Sequence, residues 1–302
     1  MDILVDYIGN WGLGDLLCSD PMMLGLHERF GSSTRIWLRG KVGNVIHNPL
    51  VHGLAATGQR FDRTVEVRLF NHMDTESYGR LEAMPSLIDH MCSYAAVAPS
   101  DRRPRLHLGP ADMTICRRLP RPRRPRVAIC ADHFDPQRHW PVERWRTVAW
   151  LLQKSGAEVV GIGSKDRLGW GIDQVGTLSM RETAALLTTC DLFAGNNSGP
   201  FHYAQAAGVP CVTLFSLAAP ARFVHPGATV HAVEAEGLEC LHCMTRCFAA
   251  MQASGCTATP RGRCMTDITV DRVLDAIDMA LNALTSRRIP GTTEPPPEQT
   301  VP

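Results

Sequence analysis

A chain of 302 residues with 31 Lys and Arg against 30 Asp and Glu is nearly neutral, with a formal net charge of +1. That balance argues against a general nucleic-acid binder, which needs excess cations to displace phosphate counterions, and the length suits two domains better than one core. No run of eighteen apolar residues occurs and the N-terminus lacks a basic and then apolar leader. The expectation is a cytoplasmic protein without a transmembrane segment, with room for peripheral contact with the inner membrane. Eleven cysteines then read as reduced thiols or metal ligands rather than a disulfide framework.

Ile3, Leu4, Val5 and Ile8 predict a first strand, and Gly9, Asn10, Gly12, Leu13, Gly14 and Asp15 a glycine-rich turn before a helix from about Leu16 to Arg29. The turn GNWGLGD does not fit G-x-G-x-x-G, and no acidic residue closes a following strand, so a dinucleotide site is weakly supported. Asp15 at a helix start reads, on the residues alone, as an N-cap, a common place for Asp. Arg35 to Leu38 predicts a second strand, after which Arg39 and Lys41 are candidates for contacting an anionic ligand, with solvated surface charges that do nothing specific the favoured alternative. Phe61 to Phe70 reads as a strand and Ser86 to Val97 as a helix. Residues 99–126 interleave prolines with arginines, which predicts an interdomain linker and favours a solvated hinge over a nucleic-acid or lipid contact.

A second domain is expected to start at the apolar run Arg126 to Cys130 and to continue through a loop carrying Asp132, His133, Asp135 and Arg138. A helix follows over WPVERWRTVAWLLQKSG, stopped by Gly156, and then a strand from Glu158 to Ile162. Gly163, Ser164, Lys165 and Asp166 fall after that strand, at the carboxyl edge of a parallel sheet, where ligands gather. Strands alternating with helices predict an α/β, doubly wound domain.

The stretch 191–216 organises the rest: a strand at Asp191 to Ala194, a turn over Asn196, Asn197, Ser198, Gly199 and Pro200, a helix to Ala207, and a strand from Val212. The first N–H groups of such a helix lack partners and, with the helix dipole, form an anion site. Ser198 and Gly199 would admit a diphosphate, and His202, one turn in, could face the same ligand; a purely structural Ser-Gly-Pro turn is the alternative.

Downstream, Cys240, Cys243, Cys247, Cys256 and Cys264 fall within one short loop. Four thiolates from such a loop suit tetrahedral zinc or iron, and Cys240, Cys243, Cys256 and Cys264 are the favoured set, with Cys247 the rival ligand, His242 a further donor and a disulfide the alternative. DRVLDAIDMALNAL predicts a last helix, and 286–302 a disordered tail.

These motifs resemble glycosyltransferase family 9, the ADP-heptose:lipopolysaccharide heptosyltransferases and their relatives. Gly195, Asn196, Ser198, Gly199, Pro200, His202, Ala204, Ala206, Ala207, Gly208, Pro210, Leu214 and Phe215 follow the family's nucleotide-sugar signature. Asn197 stands where the family usually has Asp, which removes a carboxylate beside the diphosphate. Gly14-Asp15-Leu16-Leu17 with Pro21, the Trp140-Pro141-x-Glu143-x-Trp145 segment, and Gly176 to Leu187 match further family segments.

The resemblance implies a GT-B fold: two Rossmann-like doubly wound domains facing a cleft, here 1–120 on the acceptor side and 121–285 on the nucleotide-sugar side. It implies an inverting glycosyltransferase that moves a sugar, plausibly heptose, from a nucleotide-diphosphate donor (ADP-heptose first) to a hydroxyl of lipopolysaccharide core, a protein or a small molecule, with no organic cofactor. Asp15 is the implied general base. Arg138 stands where the family pairs a basic residue with the donor's phosphates; Gly14, Ser164, Lys165, Asn197, Ser198, Gly199, Pro200 and His202 complete the implied donor site. The autotransporter heptosyltransferases among the relatives carry a four-cysteine iron site. An epimerase-like sugar-nucleotide enzyme and a catalytically idle nucleotide-binding scaffold are the alternatives. In this architecture the last helix often crosses back to the first domain.

Overall fold

The computed structural model describes residues 1–9, 12–68, 86–133, 135–243 and 262–286. The chain builds two all-parallel sheets. The first comprises β1 (Asp2–Ile8), β2 (Arg35–Gly40), β3 (Val51–Leu54) and β4 (Arg63–Arg68), in the order β3-β2-β1-β4. The second comprises β5 (Arg126–Cys130), β6 (Glu158–Ile162), β7 (Ile172–Asp173), β8 (Leu192–Asn196), β9 (Cys211–Leu214) and β10 (Val230–Val233), in the order β10-β9-β8-β5-β6-β7. β5, β8 and β9 are buried along their whole length, which is why they read as unbroken apolar runs rather than alternating ones.

The expected helix from Leu16 to Arg29 is two helices, α1 (Leu13–Cys18) and α2 (Asp20–Phe30), which meet at Ser19. Pro21 cannot donate a helical hydrogen bond, and the Ser19 hydroxyl bonds the Leu16 carbonyl at 2.6 Å and the Tyr7 hydroxyl at 2.6 Å, which stabilises the break. The helix expected over Ser86 to Val97 is α3 (Leu87–Ala95), which Ser86 caps by accepting from the Asp89 amide.

The proline- and arginine-rich stretch is more ordered than a solvated hinge. It contains α4 (Thr114–Arg118), whose Ile115 is buried, and it is anchored at its end by Arg126. That guanidinium is 2% exposed and donates to Glu158, Thr189 and the carbonyls of Leu119 and Pro120. A buried guanidinium is tolerated only when its donors are met in this way.

α5 (Val142–Lys154), α6 (Met180–Leu187) and α7 (Gly199–Ala206) cover the second sheet, followed by α8 (Arg263–Thr266) and α9 (Val270–Ser286). Among the described residues α9 does not cross back to the first lobe but packs on α5, β8, β9 and β10, because its apolar stripe of Val273, Ala276, Ile277 and Ala280 matches that face. Trp140 and Trp145, fully buried and edge-to-face at 4.9 Å, hold the start of α5 against the Ile268 carbonyl, so this motif is a core element. A second apolar cluster runs through both lobes, joining Leu16 and Leu17 of α1 to Phe201 and Tyr203 of α7. Arg181 of α6 fastens the lobes further by donating to Asn44 at 2.7 Å and to the His107 carbonyl at 2.9 Å.

Candidate active site

The second sheet reverses strand order between β5 and β8, and such a switch point opens a crevice beyond the carboxyl ends of the strands. Asp132, just past β5, organises one wall. Its carboxylate accepts the Ser164 hydroxyl at 2.6 Å, the Ser164 amide, the Lys165 amide at 3.0 Å and the Asp166 amide at 2.7 Å. Burial raises its pKa, but these hydrogen bonds outweigh burial and the net shift is downward. Gly163, at φ +123°, makes the turn possible; a Cβ there would come 2.8 Å from Asp132 Oδ2. Ser164 thus contributes its hydroxyl to the loop itself, and the wall it forms faces a cavity of about 650 Å³ bounded also by Lys165, Gly176, Leu178, Met180 and Pro200. That volume suits a nucleoside.

His133 links this wall to the next. Its Nε2–H donates to the Asn197 carbonyl at 3.0 Å while Nδ1 accepts from the Asp135 amide at 2.9 Å, a pattern only one neutral tautomer satisfies. Burial, with Arg138 nearby, brings its pKa down to about 4. Ser198 is the N-cap of α7, with Gly199 and Pro200 opening the helix. The Ser198 hydroxyl is buried beside the Cys130 thiol and otherwise lacks a partner among the described residues. Buried orphan hydroxyls at helix starts suit a ligand oxygen.

From the first lobe, α1 brings Asp15 to the same place. A smaller cavity of about 270 Å³ is lined by Gly12, Gly14, Asp15, Arg138, Asn197, Ser198, Gly199 and His202, and it shares Leu13, His133, Met180, Ser198 and Pro200 with the larger one. Gly14 permits this approach: a Cβ there would lie 2.7 Å from His202 Cδ2 and 3.0 Å from Gly199 Cα. The N-cap of α1 is Gly12, so Asp15 is not the cap; it sits within the first turn and accepts from the Gly12 amide. Burial raises its pKa to about 6, while Arg138 and the Gly12 amide oppose the rise. Burial lowers the pKa of Arg138, and Asp135, 3.9 Å away, and Asp15 oppose that shift.

The structure therefore brings Gly14, Asp15, Arg138, Asn197, Ser198, Gly199, Pro200 and His202 to one cavity and Ser164 and Lys165 to the adjoining one. Arg39 pairs with Asp6 at 3.3 Å on the surface, away from both. Sequence reasoning placed Asp132 in its loop but missed its role, because one carboxylate there gives no hint that it binds three successive amides more than thirty residues on.

Of the cysteine set, Cys240, Cys243 and Cys264 are described, whereas Cys256 and the rival Cys247 lie outside the described residues. Cys264 belongs to an apolar cluster on which Leu238 and Leu241, flanking Cys240, also pack, but the thiols of Cys240, Cys243 and Cys264 do not come together as a three-donor group among the described residues. Thiol donors of this kind fit zinc or iron. His242 pairs with Glu234, which directs its ring elsewhere. Burial keeps His202 neutral, with a pKa near 4, and Cys18 and His225 lie against its Nδ1.

The profile of glycosyltransferase family 9 (heptosyltransferase) matches residues 89–250, more than half of the chain. No curated protein matches the sequence significantly. Among solved structures, the glycosyl transferase family 9 protein of Veillonella parvula is 15% identical and superposes with a TM-score of 0.73 over 93% of this chain and 97% of its own. ADP-heptose lps heptosyltransferase II of E. coli is 18% identical, with a TM-score of 0.66 over 94% and 100%. The iron-containing dodecameric glycosyltransferase TibC of enterotoxigenic E. coli is 19% identical, with a TM-score of 0.69 over 94% and 79%. These likenesses agree with the GT-B arrangement of the two sheets.

Proposed function

Because the chain belongs to glycosyltransferase family 9, we propose that it moves a heptose from ADP-heptose to an acceptor hydroxyl, with inversion at the anomeric carbon. The glycosyl transfer follows from the family; the sugar, base and residue roles are our reading. Two of the structural neighbours support ADP-heptose first: one is an ADP-heptose heptosyltransferase by name, and TibC has been solved in complex with ADP-D-beta-D-heptose. The roughly 650 Å³ cavity under Asp132 takes the nucleoside. Its diphosphate meets the amides at the start of α7, the Ser198 hydroxyl and Arg138, all around the smaller cavity.

Asp15 removes the proton from the acceptor hydroxyl as that oxygen attacks the anomeric carbon. The bond from that carbon to the diphosphate oxygen breaks, and the electron pair leaves with the nucleoside diphosphate. Arg138 and the helix amides stabilise that growing charge, the large contribution in such chemistry. Asp15 carries the proposal, since a buried carboxylate raised to about 6 is still ionised at neutral pH yet is a stronger base than an ordinary aspartate.

The lobes are taken as residues 1–120 and 121–285. Cys240, Cys243, Cys256 and Cys264 are proposed to hold structural iron or zinc, which would brace the loop outside the site. No helix among the described residues is long and apolar enough to cross a membrane, and we place the protein in the cytoplasm.

A thermal-shift panel of ADP-, GDP-, UDP- and dTDP-sugars tests the donor, because a ligand of the folded state raises its melting temperature. ADP-heptose should give the largest shift and be consumed when acceptor is added. A larger shift with another base would replace the donor assignment.

A further inference from the structure

Cys18 ends α1 in the first lobe, His202 lies in α7, and His225 lies in the loop after β9. All three are buried. Cys18 Sγ is 3.5 Å from His202 Nδ1 and 3.5 Å from His225 Nε2, and the two nitrogens are 3.0 Å apart. Tetrahedral zinc, with bonds of about 2.0 Å to nitrogen and 2.3 Å to sulfur, sets edges of about 3.3 Å between nitrogens and about 3.5 Å between nitrogen and sulfur. We propose that Cys18, His202 and His225 form a binding site for a zinc-class divalent cation that ties the two lobes together behind the donor's diphosphate. This site is separate from the cysteine loop and does not depend on which sugar is transferred.

Three further observations fit. The donors are already oriented: Gln205, one turn after His202, accepts from the His225 amide at 2.7 Å and donates to the Phe223 carbonyl at 3.1 Å, fastening the loop to the helix. The other ring nitrogen of His225, Nδ1, has no protein partner among the described residues, so it is free to carry the proton while Nε2 takes the cation. A route inward also exists, because His225 lines a cavity of about 370 Å³ on one side and His202 lines the smaller active-site cavity on the other.

Three protein donors leave one tetrahedral position open. A cation on Nδ1 of His202 would leave Nε2 carrying the proton, a fixed donor on the helix that heads the diphosphate site. It would also hold the C-terminus of α1, and with it Asp15, at a set distance from α7.

The test is metal content and cobalt spectroscopy on the full chain after chelation and reloading. Chain carrying Cys240→Ser and Cys243→Ser, which removes two ligands of the cysteine loop, should still take up one equivalent of Co²⁺ with a thiolate charge-transfer band, displaced by Zn²⁺. Adding Cys18→Ser should abolish the band and the equivalent, and adding His225→Gln should weaken Zn²⁺ binding at least tenfold. No uptake, or uptake unchanged by both substitutions, overturns the proposal. Should a variant fail to fold, the unmutated chain decides: one metal beyond the loop's own, with the weaker thiolate band of a single cysteine, supports the site, and a spectrum from the loop alone refutes it.

Discussion

Both sheets reverse strand order once, between β1 and β4 in the first lobe and between β5 and β8 in the second, and both point their carboxyl edges at the cleft. At the second edge the chain assembles many weak donors around fixed points: Asp132 gathers three amides, His133 bridges to Asn197, and α7 presents its first N–H groups. At the first edge one short helix delivers one carboxylate, crowded by Arg138 and pressed close by Gly14. The difference matches two tasks. Holding a diphosphate needs a preorganised array of dipoles, whereas accepting a proton needs a single base of suitable pKa.

Asp15→Asn removes the first-lobe contribution alone, and transfer should fall by about 10²–10⁴-fold in a steady-state assay while the donor-induced melting shift survives. Retained turnover would erase the division of labour between the edges. Arg138→Ala acts on both edges. It should lower kcat/KM by roughly 100-fold, as for loss of a charge-stabilising donor, and move the acidic limb of the pH–rate profile upward, because Arg138 holds the pKa of Asp15 down. In the unmutated protein that limb should rise through a pH near 6 and then level off.

A stability measurement sharpens the same contrast. Asp15 has a folded-state pKa of about 6, above its ordinary value of 3.8, so the folded state binds the proton more tightly and stability falls as pH rises from about 4 to 6. Asp15→Asn should therefore stabilise the protein by up to about 3 kcal/mol at pH 7, with the gain gone below pH 4 in denaturant titrations. Asp132 is the counterpart with its pKa lowered. Asp132→Asn should destabilise by roughly 1.5–3 kcal/mol at neutral pH and weaken donor binding, read by melting and calorimetry. The smallest effect is expected at Ser179, whose capping box with Glu182 starts α6. Ser179→Ala should cost about 1 kcal/mol in stability with kcat unchanged.

The second lobe was legible because its signals are local. Fully apolar strands and the Gly-Pro opening of α7 each lie within a few residues of the element they specify. The first lobe was harder, since the break at Ser19 depends on Tyr7, a contact between distant positions. Asp15 and Arg138 were legible as residues, but the reason they matter, their mutual burial across the cleft, is tertiary. Cys18 and His225 lie 207 positions apart, and no spacing rule joins them.

The most direct test is a crystal structure of the chain soaked with a non-transferable ADP-heptose analogue. The account predicts the diphosphate on the Ser198 and Gly199 amides, with Arg138 within hydrogen-bond distance and the Asp15 carboxylate facing the anomeric carbon from the opposite lobe. A donor seated elsewhere, or one whose anomeric carbon turns away from Asp15, would contradict it.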